Sequence, residues 1–393
     1  LWGESTPVSN PFAFMPPLWF IEGMVEQLSI GEMTVNTEMW LRDAALNGYL
    51  MTLEELSYMP QGAYTFGHSF WFFIAQRYGH RKVGEILQKT SLFSSLDNAF
   101  KSSVGAEIKT LSKQWNEDIR KTYLPQIVNF QKPEDFSRQL TNHERDGSSF
   151  NTTPALNSTG ETIAFTTNKS GYIDIRVASA IDGKKDRTLI GGQRNPELEN
   201  LRFLYTSLDW SPDDRYLTYV GKVGPEEAVF VYNYYNEEVV HKFTTGLDGV
   251  LTPDFSPDGK KIVFSGIDGG RSNLYTIEIE TGEVEQITDD RYTQRDPAWS
   301  PDGKQIAFTT EYGPGTDMDR LIFSDYRIAV LELESGEYTV MPNSFGNNIS
   351  PQWSPDGSKL AYVSDRTGIA NIFYHDYDQG RDYQVSDILT GIS

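Results

Sequence analysis

The chain has 393 residues, and its 34 Lys and Arg stand against 55 Asp and Glu for a formal net charge of −21. That balance excludes a role built on the nucleic-acid phosphate backbone or on docking to an anionic lipid surface, both of which need clustered cations. The absence of cysteine excludes disulfides and thiolate-held metals, and the length with 22 Phe, 21 Tyr and 8 Trp suggests two or three domains with substantial cores.

No apolar run is long enough to read as a membrane span. No leader pattern is visible, and the chain opens at Leu1 without Met, so it reads as a processed piece of a longer polypeptide. Residues 1–17 are Pro- and aromatic-rich and are expected to form an extended lead-in. From Leu18 to Leu28 the apolar residues Leu18, Ile21, Val25 and Leu28 recur at helical spacing behind Pro16 and Pro17. Further helices are predicted over Glu38–Leu46, Tyr64–Tyr78, Lys82–Lys89, Ser95–Lys101 and Ala106–Thr122. Pro125–Pro133 reads as an exit linker, so residues 1–130 form an all-α domain and residues 131–393 a second one.

Two segments of the helical region carry a resemblance. Pro17-x-Trp-Phe-x-Glu-Gly-Met-x-Glu26, with Tyr64-x-x-Gly67-x-Ser-Phe70 further on, resembles the C-terminal helical half of a gluzincin metallopeptidase of the peptidase MA-like group. The resemblance implies that Glu22 is a metal ligand, the third zinc ligand of the family. It also implies that Tyr64 is catalytic, its hydroxyl stabilising the tetrahedral oxyanion, with His68 one turn on as a further candidate. Such a zinc keeps one position for a water whose pKa it lowers, and a phenol aimed at the oxyanion adds electrostatic stabilisation. The chain departs from the family at one point: none of His68, His80, His143, His241 and His375 pairs as His-Glu-x-x-His. Counting back the family's spacing from Glu22 lands on Gly3. Zinc is therefore expected only if that motif lies upstream of Leu1, and the chain as it stands is catalytically incomplete. Read by itself, Glu22 can equally be a buried carboxylate bonded to a helix end or to Arg42, and Tyr64 and His68 can be ordinary core or cap residues. Gly67-His-Ser-Phe-Trp71 lacks the second glycine and the preceding strand of a nucleophile elbow and is set aside.

Beyond residue 131 the pattern changes to short alternating strands punctuated by one turn. It stands at Asn157-Ser-Thr-Gly160, Ser211-Pro-Asp-Asp214, Ser256-Pro-Asp-Gly259, Ser300-Pro-Asp-Gly303 and Ser354-Pro-Asp-Gly357. The first residues, 157, 211, 256, 300 and 354, are 54, 45, 44 and 54 apart, a period that signals propeller blades. Proline presets φ, aspartate bonds its own backbone and glycine takes φ > 0. In the third unit Thr252–Phe255, Lys261–Ser265, Asn273–Ile279 and Glu283–Thr288 read as four strands.

These repeats resemble the TolB-type (PD40) propeller, whose signature is Trp-Ser-Pro-Asp-Gly. The predicted architecture is thus multidomain: an all-α N-terminal domain followed by an all-β TolB-like propeller with five recognisable blades. Phe136–Thr141 is expected to be the outer strand of a sixth, shared or truncated blade. Insertions at Gly192–Tyr205 and Tyr312–Asp325 mark loops where partner contacts concentrate. Asp258, Asp268, Asp302 and Asp365 can bind a cation or simply form turns. The resemblances together imply a metallopeptidase-related envelope protein, or a non-catalytic scaffold in the bacterial periplasm or at the outer membrane. Its partners would be proteins or peptides, possible members of an outer-membrane complex, and not nucleic acid.

Overall fold

The computed structural model describes residues 15–93, 95–192, 198–202, 206–342 and 345–392. The chain divides into two compact units, residues 1–131 with 388–391 and residues 132–387 with 392–393. Of the expected lead-in, residues 1–14 lie outside the described residues.

The first unit is all helix. Its main elements are α1 (Leu18–Ser29), α2 (Val35–Asn47), α3 (Leu53–Leu56), α4 (Thr65–Tyr78), α5 (Arg81–Phe93), α6 (Leu96–Val104) and α7 (Ile108–Tyr123). Local chemistry sets their ends. Thr34 and Ser95 accept from the backbone N–H of Thr37 and Asn98, satisfying donors the first turn leaves free. Thr52 and Glu55 form a capping box that starts α3, a helix the apolar periodicity was too short to announce. Gly105 ends α6 at φ 78, a conformation glycine adopts without steric cost. Where a linker was expected after Pro125, the chain winds into 3₁₀ turns at Leu124–Asn129 and Pro133–Asp135.

One aromatic cluster holds this unit together. Trp19, Phe20, Phe70, Trp71, Phe100 and Trp115 are buried, mostly edge to face, with Phe20 and Trp71 centroids 5.0 Å apart. Burial of each such ring contributes roughly 1.5–3 kcal/mol. No indole among them wastes its donor: Trp71 Nε1 reaches the Phe20 carbonyl, Trp115 Nε1 reaches Ser69 Oγ, and Trp19 Nε1 reaches Ser57 Oγ.

The second unit is a five-bladed β-propeller, each blade an antiparallel meander in sequence order. The first blade comprises β1 (Asn151–Leu156), β2 (Thr162–Thr167), β3 (Asp174–Ser179) and β4 (Arg187–Gly191). The second has its innermost strand in two pieces, β5 (Asn200–Leu201) and β6 (Asp209–Trp210), both paired with β7 (Tyr216–Val223), then β8 (Glu226–Asn233) and β9 (Glu238–Thr244). The third is β10 (Gly249–Phe255), β11 (Lys261–Asp268), β12 (Arg271–Glu278) and β13 (Val284–Gln286). The fourth is β14 (Gln294–Trp299), β15 (Gln305–Thr310), β16 (Arg327–Glu332) and β17 (Glu337–Val340). The fifth is β18 (Asn348–Trp353), β19 (Lys359–Ser364), β20 (Asn371–Asp376) and β21 (Arg381–Gln384). A separate apolar cluster sits between each pair of successive blades, such as Val220, Val229, Phe255 and Phe264 between the second and third.

The repeated turn is a closed hydrogen-bond unit. In the fourth blade Ser300 Oγ donates to Asp302 Oδ1 at 2.7 Å and accepts from the Gln305 N–H at 2.9 Å, while Lys304 N–H reaches Asp302 Oδ1 at 3.1 Å. Ser211, Ser256 and Ser354 repeat the pattern. The innermost strands carry a second repeated device. Thr153, Thr252, Asp296 and Ser350 stand at φ 51, 43, 54 and 55, each just before a proline and within a register shift. A β-bulge with a left-handed residue bends the strand, and the following proline has no N–H to lose from the ladder.

Carboxylates latch neighbouring blades. Asp209 accepts from the Phe255 N–H at 2.7 Å, and Asp254 accepts from the Trp299 N–H at 2.9 Å. Burial pushes the Asp209 carboxyl up to about 7. Burial, and then the neighbouring Asp209, raises Asp254 well above the usual carboxylate range.

One expectation is corrected. Phe136–Thr141 forms no strand and supplies none to a sixth blade. Instead Arg138 donates to the Ile181 carbonyl, and the Leu140 carbonyl lies so close to Gly183 that a Cβ there would stand 2.5 Å from it. The segment runs along the turn between β3 and β4. The Phe136 and Ser137 N–H groups turn back to the Pro133 carbonyl instead of joining a ladder.

Candidate functional site

The two motif halves of the helical unit meet through their glycines. Gly23 on α1 faces Gly67 on α4: a Cβ on Gly23 would stand 2.1 Å from the Gly67 carbonyl carbon, and one on Gly67 would stand 2.6 Å from the Trp19 carbonyl oxygen. The helices therefore cross backbone to backbone, which explains why each motif carries glycine at that position. Glu22 directly precedes this crossing on α1 and is half-buried. Tyr64 directly precedes α4 and is 47% exposed, so its phenol belongs to the surface. His68 follows Gly67 and is buried, its backbone N–H bonded to the Tyr64 carbonyl at 2.8 Å as part of the helix.

His68 Nε2 is buried and has no partner. Burial lowers the imidazole pKa, outweighing the nearby Glu26 carboxylate, so the ring is held neutral. Arg42 is engaged by Glu38, at 3.7 Å, and lies 5.8 Å from the Tyr123 ring centroid. Glu26 was not singled out by sequence, although its position one helical turn after Glu22 places it on the same side of α1.

Chemically the arrangement offers one neutral imidazole, two carboxylates and an exposed phenol. The described residues contain no group of three or more His, Asp or Glu placed to hold a metal ion, so they do not by themselves fit a zinc centre of three protein ligands. Of the four aspartates considered for a cation, Asp258 and Asp302 stand on neighbouring blades and line one crevice. Asp258 and Asp302 cap their own turns between first and second strands, whereas Asp365 accepts from the Asn347 N–H at 2.6 Å beyond β19.

In the propeller the insertion of the fourth blade is a built loop. Arg327 Nη2 donates to the Pro314 carbonyl at 2.9 Å and its Nη1 to Ser324 Oγ at 2.7 Å. Asp317 and Ile322 exchange backbone bonds of 2.8 and 2.9 Å, closing a small hairpin. At its tip Leu321, with φ 54, is 72% exposed, and Phe323 is 60% exposed. Phe345, also exposed, lies on the connection to the fifth blade, which Asn347 and Asn348 tie to Tyr326. Leu321, Ile322 and Phe323 thus form an exposed apolar run at the tip of this hydrogen-bonded loop. The other insertion, Gly192–Tyr205, lies partly outside the described residues, at 193–197 and 203–205.

Residues 191–320 match the family model described as the TolB beta propeller domain, PD40. An uncharacterised protein of Agrobacterium fabrum is 31% identical over 159 residues, 39% of this chain and 53% of that protein. The Tol-Pal system protein TolB of Francisella tularensis is 42% identical over 82 residues, 21% of this chain and 18% of that protein. The crystal structure of TolB from Acinetobacter baumannii aligns with a TM-score of 0.44 at 21% identity, over 70% of this chain and 60% of that one. The chain thus spans about half the length of the Agrobacterium relative and less than a fifth of the Francisella one. Residues 191–320, within the second unit, are thus similar to a TolB-like PD40 propeller, and that match lies outside the helices.

Proposed function

We propose that the chain is a non-catalytic scaffold of the bacterial envelope, acting in the periplasm or at the outer membrane, whose propeller holds a protein partner. The observation that carries this reading is the hydrogen-bonded insertion loop presenting Leu321, Ile322 and Phe323 to solvent, with Phe345 also exposed on the connection to the fifth blade. A rigid loop loses little entropy on binding, and apolar anchors of this kind supply most of an interface's free energy. The Tol-Pal name of the Francisella relative is consistent with a role among envelope proteins. Replacing Leu321, Phe323 and Phe345 together by serine should abolish cross-linking to envelope proteins while leaving the melting temperature within about 1 °C. Unchanged cross-linking by the triple variant would dismiss this surface.

A second reading, a gluzincin-related subdomain that is catalytically incomplete here, draws support from the Gly23–Gly67 crossing, which brings Trp19-x-x-Glu-Gly23 and Tyr64-x-x-Gly67 together. In that reading Glu22 would contribute to a zinc site completed from elsewhere in a longer protein, and Tyr64 would face the oxyanion. Metal analysis of the full-length protein tests it: stoichiometric zinc lost on Glu22→Ala supports the reading, and its absence from the unaltered protein rejects it.

A further inference from the structure

The first helix of the all-α unit has two apolar faces. Trp19, Phe20, Gly23, Met24 and Gln27 of α1 are buried, and Trp19, Phe20 and Met24 belong to the core cluster. A second set, Leu18, Ile21, Val25 and Leu28, lies on a different side, because residues three, four and three apart stack along one stripe of a helix. Leu18, Val25 and Leu28 are 39%, 50% and 65% exposed, while Ile21 is half-buried against the core. Alternating steps of three and four are the spacing of a helix–helix seam, with Leu18 and Val25 in one kind of position and Ile21 and Leu28 in the other. Single exposed apolar residues are ordinary on any surface; a stripe at this spacing is the face on which a second helix packs.

Charge beside the stripe is one-sided. Glu22 borders it, Glu26 follows one turn on, and Glu32 is exposed just past the end of the helix. Between Leu18 and Tyr64 the chain has seven Asp and Glu, no Lys and one Arg, and that Arg42 is buried with Glu38 at 3.7 Å. The next nine cations, Arg77 to Lys121, stand on the last turn of α4 and on α5, α6 and α7. Among the described residues no Lys or Arg pairs with Glu22, Glu26 or Glu32, and His68, whose field Glu26 shares, is held neutral by burial.

These features select one kind of occupant. An extended peptide laid on a helix finds no free backbone donors or acceptors there, so its own buried N–H and C=O groups would be stranded; a helix has already satisfied them internally. Apolar side chains at steps of three and four insert between those of the stripe as knobs into holes. The unpaired carboxylates at the edge favour Lys or Arg flanking that seam, since opposite charges beside a seam set the choice of partner.

We propose that the outer face of α1 docks a cationic amphipathic α-helix of a partner protein. The partner's apolar seam lies on Leu18, Ile21, Val25 and Leu28, and its cations face Glu22 and Glu26. The stripe is about 15 Å long, so about three turns of the partner engage it. This surface belongs to the helical unit and does not depend on the insertion loop of the fourth blade.

Fluorescence anisotropy on the whole chain tests the assignment, with a labelled peptide of two copies of Leu-Lys-Lys-Leu-Leu-Lys-Leu and its analogue carrying Glu for every Lys. The Lys peptide should bind saturably, at least about tenfold more tightly than the Glu peptide, and more weakly as salt rises. Val25→Gln with Leu28→Gln keeps helix propensity but removes the apolar contact, and should weaken binding about tenfold. Glu22→Gln with Glu26→Gln should weaken it about threefold to tenfold and flatten the salt dependence. Leu92→Gln, at a 75% exposed site on α5, should leave binding unchanged. No saturable binding by the unaltered chain up to about 1 mM, the weak limit of recognition, would overturn the proposal. So would undiminished affinity in the Val25→Gln, Leu28→Gln variant, or an equal loss in Leu92→Gln. A dimer of the unaltered chain in sedimentation, dissolved by that double variant, would give the stripe to a second copy and overturn it too.

Discussion

The two units solve the burial problem in opposite ways. The helical unit gathers Trp19, Phe20, Phe70, Trp71, Phe100 and Trp115 into one non-repeating cluster, drawn from four helices distant in sequence. The propeller distributes its apolar residues into successive clusters between blades, and repeats the same turn and the same bulge to position them. The difference teaches where a defect should travel. In a single core every ring touches several others, so a cavity is felt by the whole unit. In a repeat each element depends on its immediate neighbours.

The sharpest way to break this comparison is a pair of cavity variants. Phe70→Ala should cost about 3–5 kcal/mol, and so should Phe264→Ala in the third blade. Hydrogen exchange distinguishes them: Phe70→Ala should lower protection across α1, α4, α6 and α7, whereas Phe264→Ala should lower it in the third blade and its neighbours alone. Uniform loss across the propeller in the second case would show that the blades unfold as one.

A smaller effect concerns the latching carboxylates, a device found between the second, third and fourth blades. Both Asp209 and Asp254 are raised by burial, so the folded chain holds their protons more tightly than the unfolded one. The stability they lend is therefore full below the unfolded carboxylate pKa and is lost as pH rises through the folded values, for Asp209 about 7. The melting temperature of the propeller should fall by on the order of 5 °C between about pH 5 and pH 8. Asp254→Asn, which keeps an oxygen for the Trp299 N–H, should flatten that slope; an unchanged slope in calorimetry would assign the dependence elsewhere.

The smallest effect tests the repeated turn. Ser300→Ala removes an acceptor for the Gln305 N–H and a donor to Asp302, and should cost about 1 kcal/mol. The same change at Ser211, Ser256 and Ser354 should cost the same within a few tenths of a kcal/mol, and the costs should add for blades that do not touch. Denaturant melts of the four single variants and of the Ser211→Ala, Ser354→Ala pair measure both statements.

What could be read from the chain alone followed from local physical rules. Apolar spacing located α1, α4 and α7, and Ser-Pro-Asp-Gly counted the blades, because a turn that saturates its own hydrogen bonds needs no distant partner. The short helix α3 escaped because four residues are too few to show an apolar period, and Phe136–Thr141 misled because a segment does not itself state which partner its backbone will bond. The motif around Glu22 and Tyr64 was visible, but not that its glycines are the meeting point of two helices. Likewise nothing in Trp210, Trp299 and Trp353 as letters separates the first and last, whose indoles donate to the preceding blade, from Trp299, whose indole nitrogen is buried without a partner. That distinction depends on whether a carbonyl of the preceding blade's innermost strand comes within reach of the indole, which only the packing of the blades sets. Local sequence determined the elements and their number, since those depend on bonds within a few residues. Tertiary structure decided which groups were left without a partner, because a partner in another helix or blade is specified only when the chain is packed.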